Sequence, residues 1–123
     1  MTSSLKIYSY SKCSTCRKAI AWLKDKGLNY QLIDISITPP TKDLLRIALS
    51  KFENKKMLFN TSGKSYRSIG AKVVNNMTDE EALEALEKDG KLVKRPFIVI
   101  GESDIILGFK PDIFNEKFSR KFK

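Results

Sequence analysis

Two cysteines, Cys13 and Cys16, stand where the pattern of the chain changes. Upstream, Leu5-Lys6-Ile7-Tyr8-Ser9-Tyr10 is rich in β-formers. Downstream, Cys16, Ile20, Leu23 and Gly27 recur at helical spacing, with Ala19 and Trp22 flanking that stripe. The pair therefore falls on a strand-to-helix turn, Lys12-Cys13-Ser14-Thr15-Cys16-Arg17. A thiol at a helix N-terminus feels the positive end of the macrodipole, which favours thiolate over thiol. The second sulfur, one helical turn on, is close enough to form a disulfide with the first.

With 123 residues, 41% hydrophobic and 30% charged, the chain reads as one globular domain of ordinary size. No apolar run is long enough for a transmembrane helix, and Met1 to Lys6 lacks the regions of a signal peptide. A cytoplasmic location is expected, and there a C-x-x-C is redox-active or metal-binding. Zinc wants three or four protein ligands, and the chain has no further cysteine and no histidine, so no metal is expected. The absence of histidine also excludes Cys-His proteases and histidine acid–base chemistry. The net charge of +9 is spread along the chain, with a modest cluster at Lys117, Arg120, Lys121 and Lys123. No helix-turn-helix, zinc finger or aromatic-rich motif accompanies it, so direct nucleic-acid binding is not expected. A solvated basic surface that attracts small anions is.

In chain order, a strand over Lys6–Tyr10 leads to a helix from Ser14 to Lys26, ended by Gly27. Tyr30–Ile35 follows as a second strand. A βαβ unit of this length predicts that the two strands are parallel. After Pro39-Pro40, Thr41 caps a helix carrying Leu44, Leu45, Ala48, Leu49 and Phe52 on one face. Met57-Leu58-Phe59 and the polar residues to Lys64 read as a loop or short helical turn leading into Ser65–Gly70. Thr78-Asp79-Glu80-Glu81 is a capping box, and its helix turns Ala82, Leu83 and Leu86 inward and ends at Gly90. Phe97-Ile98-Val99-Ile100 is wholly apolar and therefore central. Gly101–Asp104 turns it back into Ile105-Ile106-Leu107 as an antiparallel hairpin. Pro111 opens a last helix with Ile113, Phe114 and Phe118 on its buried face. The fold class is α/β: a thioredoxin-like mixed sheet, β-α-β then β-β-α, with a helical insert at about 41–90 between the halves of a single domain.

Three stretches carry a family resemblance: Tyr8-Ser9-Tyr10-Ser11-Lys12-Cys13-Ser14-Thr15-Cys16-Arg17-Lys18-Ala19, Leu58-Phe59-Asn60-Thr61-Ser62-Gly63-Lys64-Ser65-Tyr66-Arg67, and Lys91-Leu92-Val93-Lys94-Arg95-Pro96-Phe97-Ile98-Val99. Gly108-Phe109 also fits. Over about residues 5–118 the chain resembles the arsenate reductase/Spx family of the thioredoxin-like superfamily. Some members reduce arsenate with glutathione and glutaredoxin, whereas Spx regulators bind RNA polymerase and sense oxidation through a C-x-x-C. The resemblance implies that Cys13 is the nucleophile and that Cys16 resolves the adduct by forming the Cys13–Cys16 disulfide. It implies that the Arg95–Pro96 bond is cis, that Pro96 packs against the cysteine turn, and that Arg95 points at Cys13 to bind an oxyanion. Lys12, Ser14, Arg17, Asn60 and Lys64 complete the expected anion-binding set.

Two features depart from the arsenate reductases. Their glutaredoxin-coupled members generally lack the second cysteine. Of their three oxyanion-holding arginines only Arg95 is present, the others standing here as Asn60 and as Phe109 or Lys110. The unrelated phosphatase-like arsenate reductases need Cys-x5-Arg, and Ala19 occupies that arginine position. The expected activity is that of a thiol–disulfide oxidoreductase with no bound cofactor, drawing electrons from glutathione, glutaredoxin or thioredoxin. The alternative is an Spx-type redox-sensing regulator whose partner is the RNA polymerase α subunit.

Overall fold

A computed structural model describes residues 4–118 of the chain. Met1, Thr2 and Ser3, and the tail cations Arg120, Lys121 and Lys123, lie outside the described residues. The backbone forms two compact units, Met1–Ile33 with Arg95–Lys123 and, separately, Asp34–Lys94.

The first unit is built on a sheet. Strand β1 (Leu5–Ser9) leads to helix α1 (Ser14–Asp25), then β2 (Gln31–Asp34), and after the second unit come β3 (Phe97–Ile100), β4 (Asp104–Leu107) and α6 (Pro111–Phe118). The strand order is β2-β1-β3-β4. β1 pairs antiparallel with β3, placing Leu5 opposite Ile100 and Tyr8 opposite Phe97, and β3 pairs antiparallel with β4. The sheet is mixed, so its parallel pair is β1 with β2, as the βαβ pattern requires. The apolar strand β3 is indeed central. One face of the sheet supplies Leu5, Ile7, Ile98 and Ile106 to a core that α1 and α6 close with Ala19, Leu23, Phe114 and Phe118. Each leucine, isoleucine or phenylalanine among them withdrawn from water contributes about 1.5–3 kcal/mol. Trp22 meets Phe114 edge-to-face, with centroids 5.3 Å apart, and fastens the two helices to each other. Gly27, at φ +69°, ends α1 in the left-handed conformation its position predicts.

One expectation for this unit is corrected. Ile113 is 42% exposed, and α6 buries Phe114 and Phe118 only. Those two lie four residues apart on one helical face, and Ile113 precedes Phe114 by one position, which turns it away from that face.

The second unit is helical. Its elements are α2 (Lys42–Phe52), a 3-10 turn (Lys55–Leu58), α3 (Lys64–Ile69), α4 (Ala71–Asn76), α5 (Asp79–Lys88) and a second 3-10 turn (Gly90–Leu92). Thr41 caps α2 through the Leu44 N–H at 3.2 Å. The capping box at α5 is complete: the Thr78 hydroxyl accepts from the Glu81 N–H at 3.1 Å, and Glu81 accepts from the Thr78 N–H at 2.8 Å. Arg46 pairs with Glu80 and Lys42 with Glu84 where α2 lies along α5. Leu45 and Ala48 of α2 and Ala82, Leu83 and Leu86 of α5 are buried. Tyr66 is buried against Phe59, and Arg67 is exposed, donating to the Ser62 carbonyl at 2.6 Å. α5 stops at Lys88 instead of continuing to Gly90, because Asp89 turns extended and caps the following 3-10 turn at the Lys91 N–H.

Gly90 is fixed by contact. A Cβ there would land on the carbonyl oxygen of Ile35, with the carbonyl carbon 2.7 Å away. Both obstacles are backbone, so relief requires moving a chain segment. Gly90→Ala should lower unfolding free energy by about 1–3 kcal/mol, read as a fall in the urea midpoint at unchanged slope. A midpoint equal to wild type would contradict the close approach.

Candidate active site

The turn between β1 and α1 is closed by the Cys13 N–H donating to the Tyr10 carbonyl at 3.0 Å. Cys13 itself is extended (φ −97°, ψ 113°) and is the N-cap of α1. Its sulfur accepts the Cys16 N–H at 3.2 Å, the role that a hydroxyl or carboxylate oxygen ordinarily plays at a helix start. No acidic residue lies in the first turn of α1, so nothing there repels negative charge on the sulfur. Arg17 holds the turn from the other side, its Nη1 donating to the Ser11 carbonyl at 2.8 Å.

The two thiols are free and differently placed: Cys13 is partly exposed and Cys16 is fully buried. Burial pushes the Cys16 thiol up to about 11, with the neighbouring Cys13 adding to the effect. A backbone hydrogen bond from Tyr10 and one from the Ser9 hydroxyl pull in the opposite direction and are outweighed. Cys16 therefore keeps its proton at neutral pH.

Across the sheet, the Arg95–Pro96 peptide bond is cis. Pro96 is buried, and its carbonyl accepts the Gly108 N–H at 3.0 Å, tying the start of β3 to the end of β4. The Arg95 guanidinium lies over the ring of Tyr10, with Cζ 5.0 Å from the centroid. Tyr10 is a residue beside these groups that the sequence did not single out; its contact with Arg95 shows it.

Lys12 and Ser14 are exposed at the turn beside Cys13. The first unit thus brings together Cys13, Cys16, Lys12, Ser14 and Arg17 on one turn, and Arg95 joins them through Tyr10. Asn60 and Lys64 belong to the second unit. The Asn60 N–H donates to the Leu92 carbonyl at 2.8 Å, its side-chain oxygen accepts from the Ser62 hydroxyl at 3.3 Å, and Lys64 is the exposed first residue of α3. Phe109 packs on Phe114 with centroids 4.7 Å apart, while Lys110 is exposed.

A model of the ArsC family matches residues 8–116. The chain belongs to the ArsC family. An uncharacterised protein from Bacillus subtilis, YusI, is 42% identical over 118 residues, covering 94% of this chain and 99% of that one. The regulatory protein MgsR of Bacillus subtilis is 29% identical over 112 residues, covering 90% of this chain and 87% of its own. A Streptococcus mutans protein described as a possible arsenate reductase is 40% identical, and its crystal structure matches with a TM-score of 0.80 over 89% of this chain and 93% of that one. The fold is accordingly the thioredoxin-like one of ArsC proteins. Among the described residues, no helix is long and apolar enough to cross a membrane.

Burial of Cys16 has a consequence for stability. The folded state binds the Cys16 proton more tightly than the unfolded chain does. The resulting stabilisation is complete below the ordinary thiol value of 9.0 and drains away as pH rises toward about 11. Over that interval wild type should lose on the order of 2 kcal/mol more stability than Cys16→Ala, measured by urea unfolding at a series of pH values. Parallel curves for the two proteins would show that Cys16 is not held protonated.

Proposed function

We propose that this ArsC-family protein is a thiol–disulfide oxidoreductase in which Cys13 attacks and Cys16 resolves. The observation that carries the reading is the asymmetry of the pair: an accessible sulfur supported by a helix N-terminus, and a buried thiol one turn behind it that keeps its proton. A dithiol with two equivalent sulfurs would have no built-in order of attack. Here Cys13 meets the substrate and Cys16 is held back.

The electrons balance in two exchanges. The Cys13 thiolate forms a bond to one sulfur of a substrate disulfide, and the other sulfur leaves as a thiolate that takes a proton from water. Cys16 then gives up its proton and attacks the Cys13 sulfur, forming the Cys13–Cys16 disulfide and releasing the second substrate thiol. The substrate is reduced to two thiols and the protein dithiol is oxidised. Glutathione, glutaredoxin or thioredoxin restores the dithiol by the reverse exchange. Charge on the departing sulfur is offset by Arg95, with Lys12 and Arg17 adding positive potential at the turn.

Arsenate fits this site less well than a disulfide does. Of the three oxyanion-binding positions implied by the resemblance, one carries the neutral Asn60. At another, Phe109 is committed to the aromatic core and the adjacent Lys110 offers a point charge without a planar fork. A trianionic transition state that relied on those positions would lose charge-assisted hydrogen bonds at each of them.

With the mixed disulfide of glutathione and 2-mercaptoethanol as substrate, Cys13→Ser should reduce turnover to the level of the enzyme-free control. Cys16→Ala should accumulate a mixed disulfide on Cys13, visible by intact-protein mass spectrometry. Turnover by Cys13→Ser, or no adduct on Cys16→Ala, would sink the assignment.

A second reading is favoured by the relationship to a regulatory protein over most of both chains. We propose in that reading that the same dithiol is a sensor whose oxidation is read by a protein partner, as an Spx-type regulator does on the RNA polymerase α subunit. Capture of purified α subunit by the oxidised protein and not by the reduced one is the expected outcome. Equal capture in both states, or none, counts against it.

A further inference from the structure

We propose that Tyr10 is the positioning residue that holds Arg95 and both cysteines in one frame. The inference rests on the roles given above to Cys13 and Arg95, and adds to them a residue that binds neither substrate nor proton.

Three contacts converge on Tyr10. Its carbonyl accepts the Cys13 N–H at 3.0 Å. Its own backbone makes a hydrogen bond to the Cys16 sulfur. Its ring carries the Arg95 guanidinium, with Cζ 5.0 Å from the centroid. Strand register explains why the ring meets this arginine. β1 and β3 pair Leu5 with Ile100, Lys6 with Val99, Ile7 with Ile98 and Tyr8 with Phe97. The ladder ends at Tyr8 and Phe97, so the residues just beyond it, Tyr10 after β1 and Arg95 before β3, come to the same end of the sheet. The Tyr8 and Phe97 rings meet edge-to-face there, with centroids 5.8 Å apart.

An arginine on its long flexible stem samples many positions unless its flat face is held. A tyrosine ring beneath it confines the guanidinium to a plane. Because the same residue fixes the Cys13 turn, the positive fork and the nucleophilic sulfur are referred to a common backbone position. The ring is what this role needs; the hydroxyl is dispensable.

The test reads the field at Cys13 without requiring a substrate. Iodoacetate and iodoacetamide alkylate the same thiolate, but only the former carries a carboxylate, so their rate ratio reports positive charge near the sulfur. Mass spectrometry assigns the alkylated residue. Arg95→Ala should lower the ratio, and Tyr10→Leu should lower it about threefold or more, while Tyr10→Phe keeps the wild-type value. Tyr10→Leu on the Arg95→Ala background should lower it no further, since the tyrosine acts through the arginine. Tyr10→Met takes the place of Tyr10→Leu if the latter melts early. If Arg95→Ala lowers the ratio and Tyr10→Leu does not, Tyr10 has no positioning role. A loss on Tyr10→Leu that persists in full on the Arg95→Ala background overturns the proposal in the same way. If Arg95→Ala itself leaves the ratio unchanged, the assignment of Arg95 falls, and the proposal with it.

Discussion

The start of α1 is set by one hydrogen bond, from the Cys16 N–H to the sulfur of Cys13. Every helix begins with backbone donors that lack intrahelical partners, and most chains satisfy one of them with a hydroxyl or carboxylate oxygen. Here a sulfur does it. Sulfur is a weaker acceptor than oxygen, so this cap gives up hydrogen-bond strength and sets a thiol at the helix N-terminus. In the proposed exchange, the residue that donates is also the one whose side chain displaces what Cys13 has captured. On that proposal, structure and reaction order share one turn, and no acidic residue lies in the first turn of α1 to oppose the arrangement.

How this turn is held explains why the rest of the first unit has the form it does. A strand ending at Ser9 delivers Tyr10 and the turn to the end of the sheet, where α1 can start immediately. Antiparallel pairing with β3 then brings the chain back in the opposite direction, so the residue before Pro96 arrives beside Tyr10. A parallel β3 would bring the opposite end of that strand to this point. Central placement of β3, with Phe97, Ile98 and Val99 buried, makes the position of Arg95 a consequence of core packing.

Local chemistry in the sequence was enough for much of this. The strand-to-helix change around Cys13, the left-handed Gly27 and the complete capping box at Thr78 and Glu81 are all set by neighbouring residues, and each appears where its signal lies. What escaped depends on distant residues or on angles of a few tens of degrees. Helix α4 is short, follows Gly70 at φ +95°, and buries only Val74, so no periodic stripe announces it. Ile113 and Phe114 differ by one helical step, and the pull of three aromatic neighbours on Phe114 decided which was buried. Tyr10 and Arg95 are far apart in the chain, and only the register makes them partners. Among the candidate residues, Cys13, Cys16 and Arg95 stand out in the sequence by chemistry of their own, whereas Tyr10, which lies under the Arg95 guanidinium, has none to mark it.

The balance between oxyanion and disulfide chemistry follows from where positive charge is anchored. A tetrahedral oxyanion presents several charged oxygens and rewards donors that converge from different directions. This chain has one guanidinium held against a ring, while the position that could supply another is spent on the core through Phe109. A disulfide makes a different demand. Charge develops on one departing sulfur at a time, along the line of attack, and a helix N-terminus with one oriented guanidinium is matched to that. A second, protonated thiol behind the first is of no use for holding arsenate, but it is what terminates a mixed disulfide without waiting for an external thiol. On the proposed reading, the single matching arginine and the presence of Cys16 are therefore two aspects of one fit, to exchange between sulfurs.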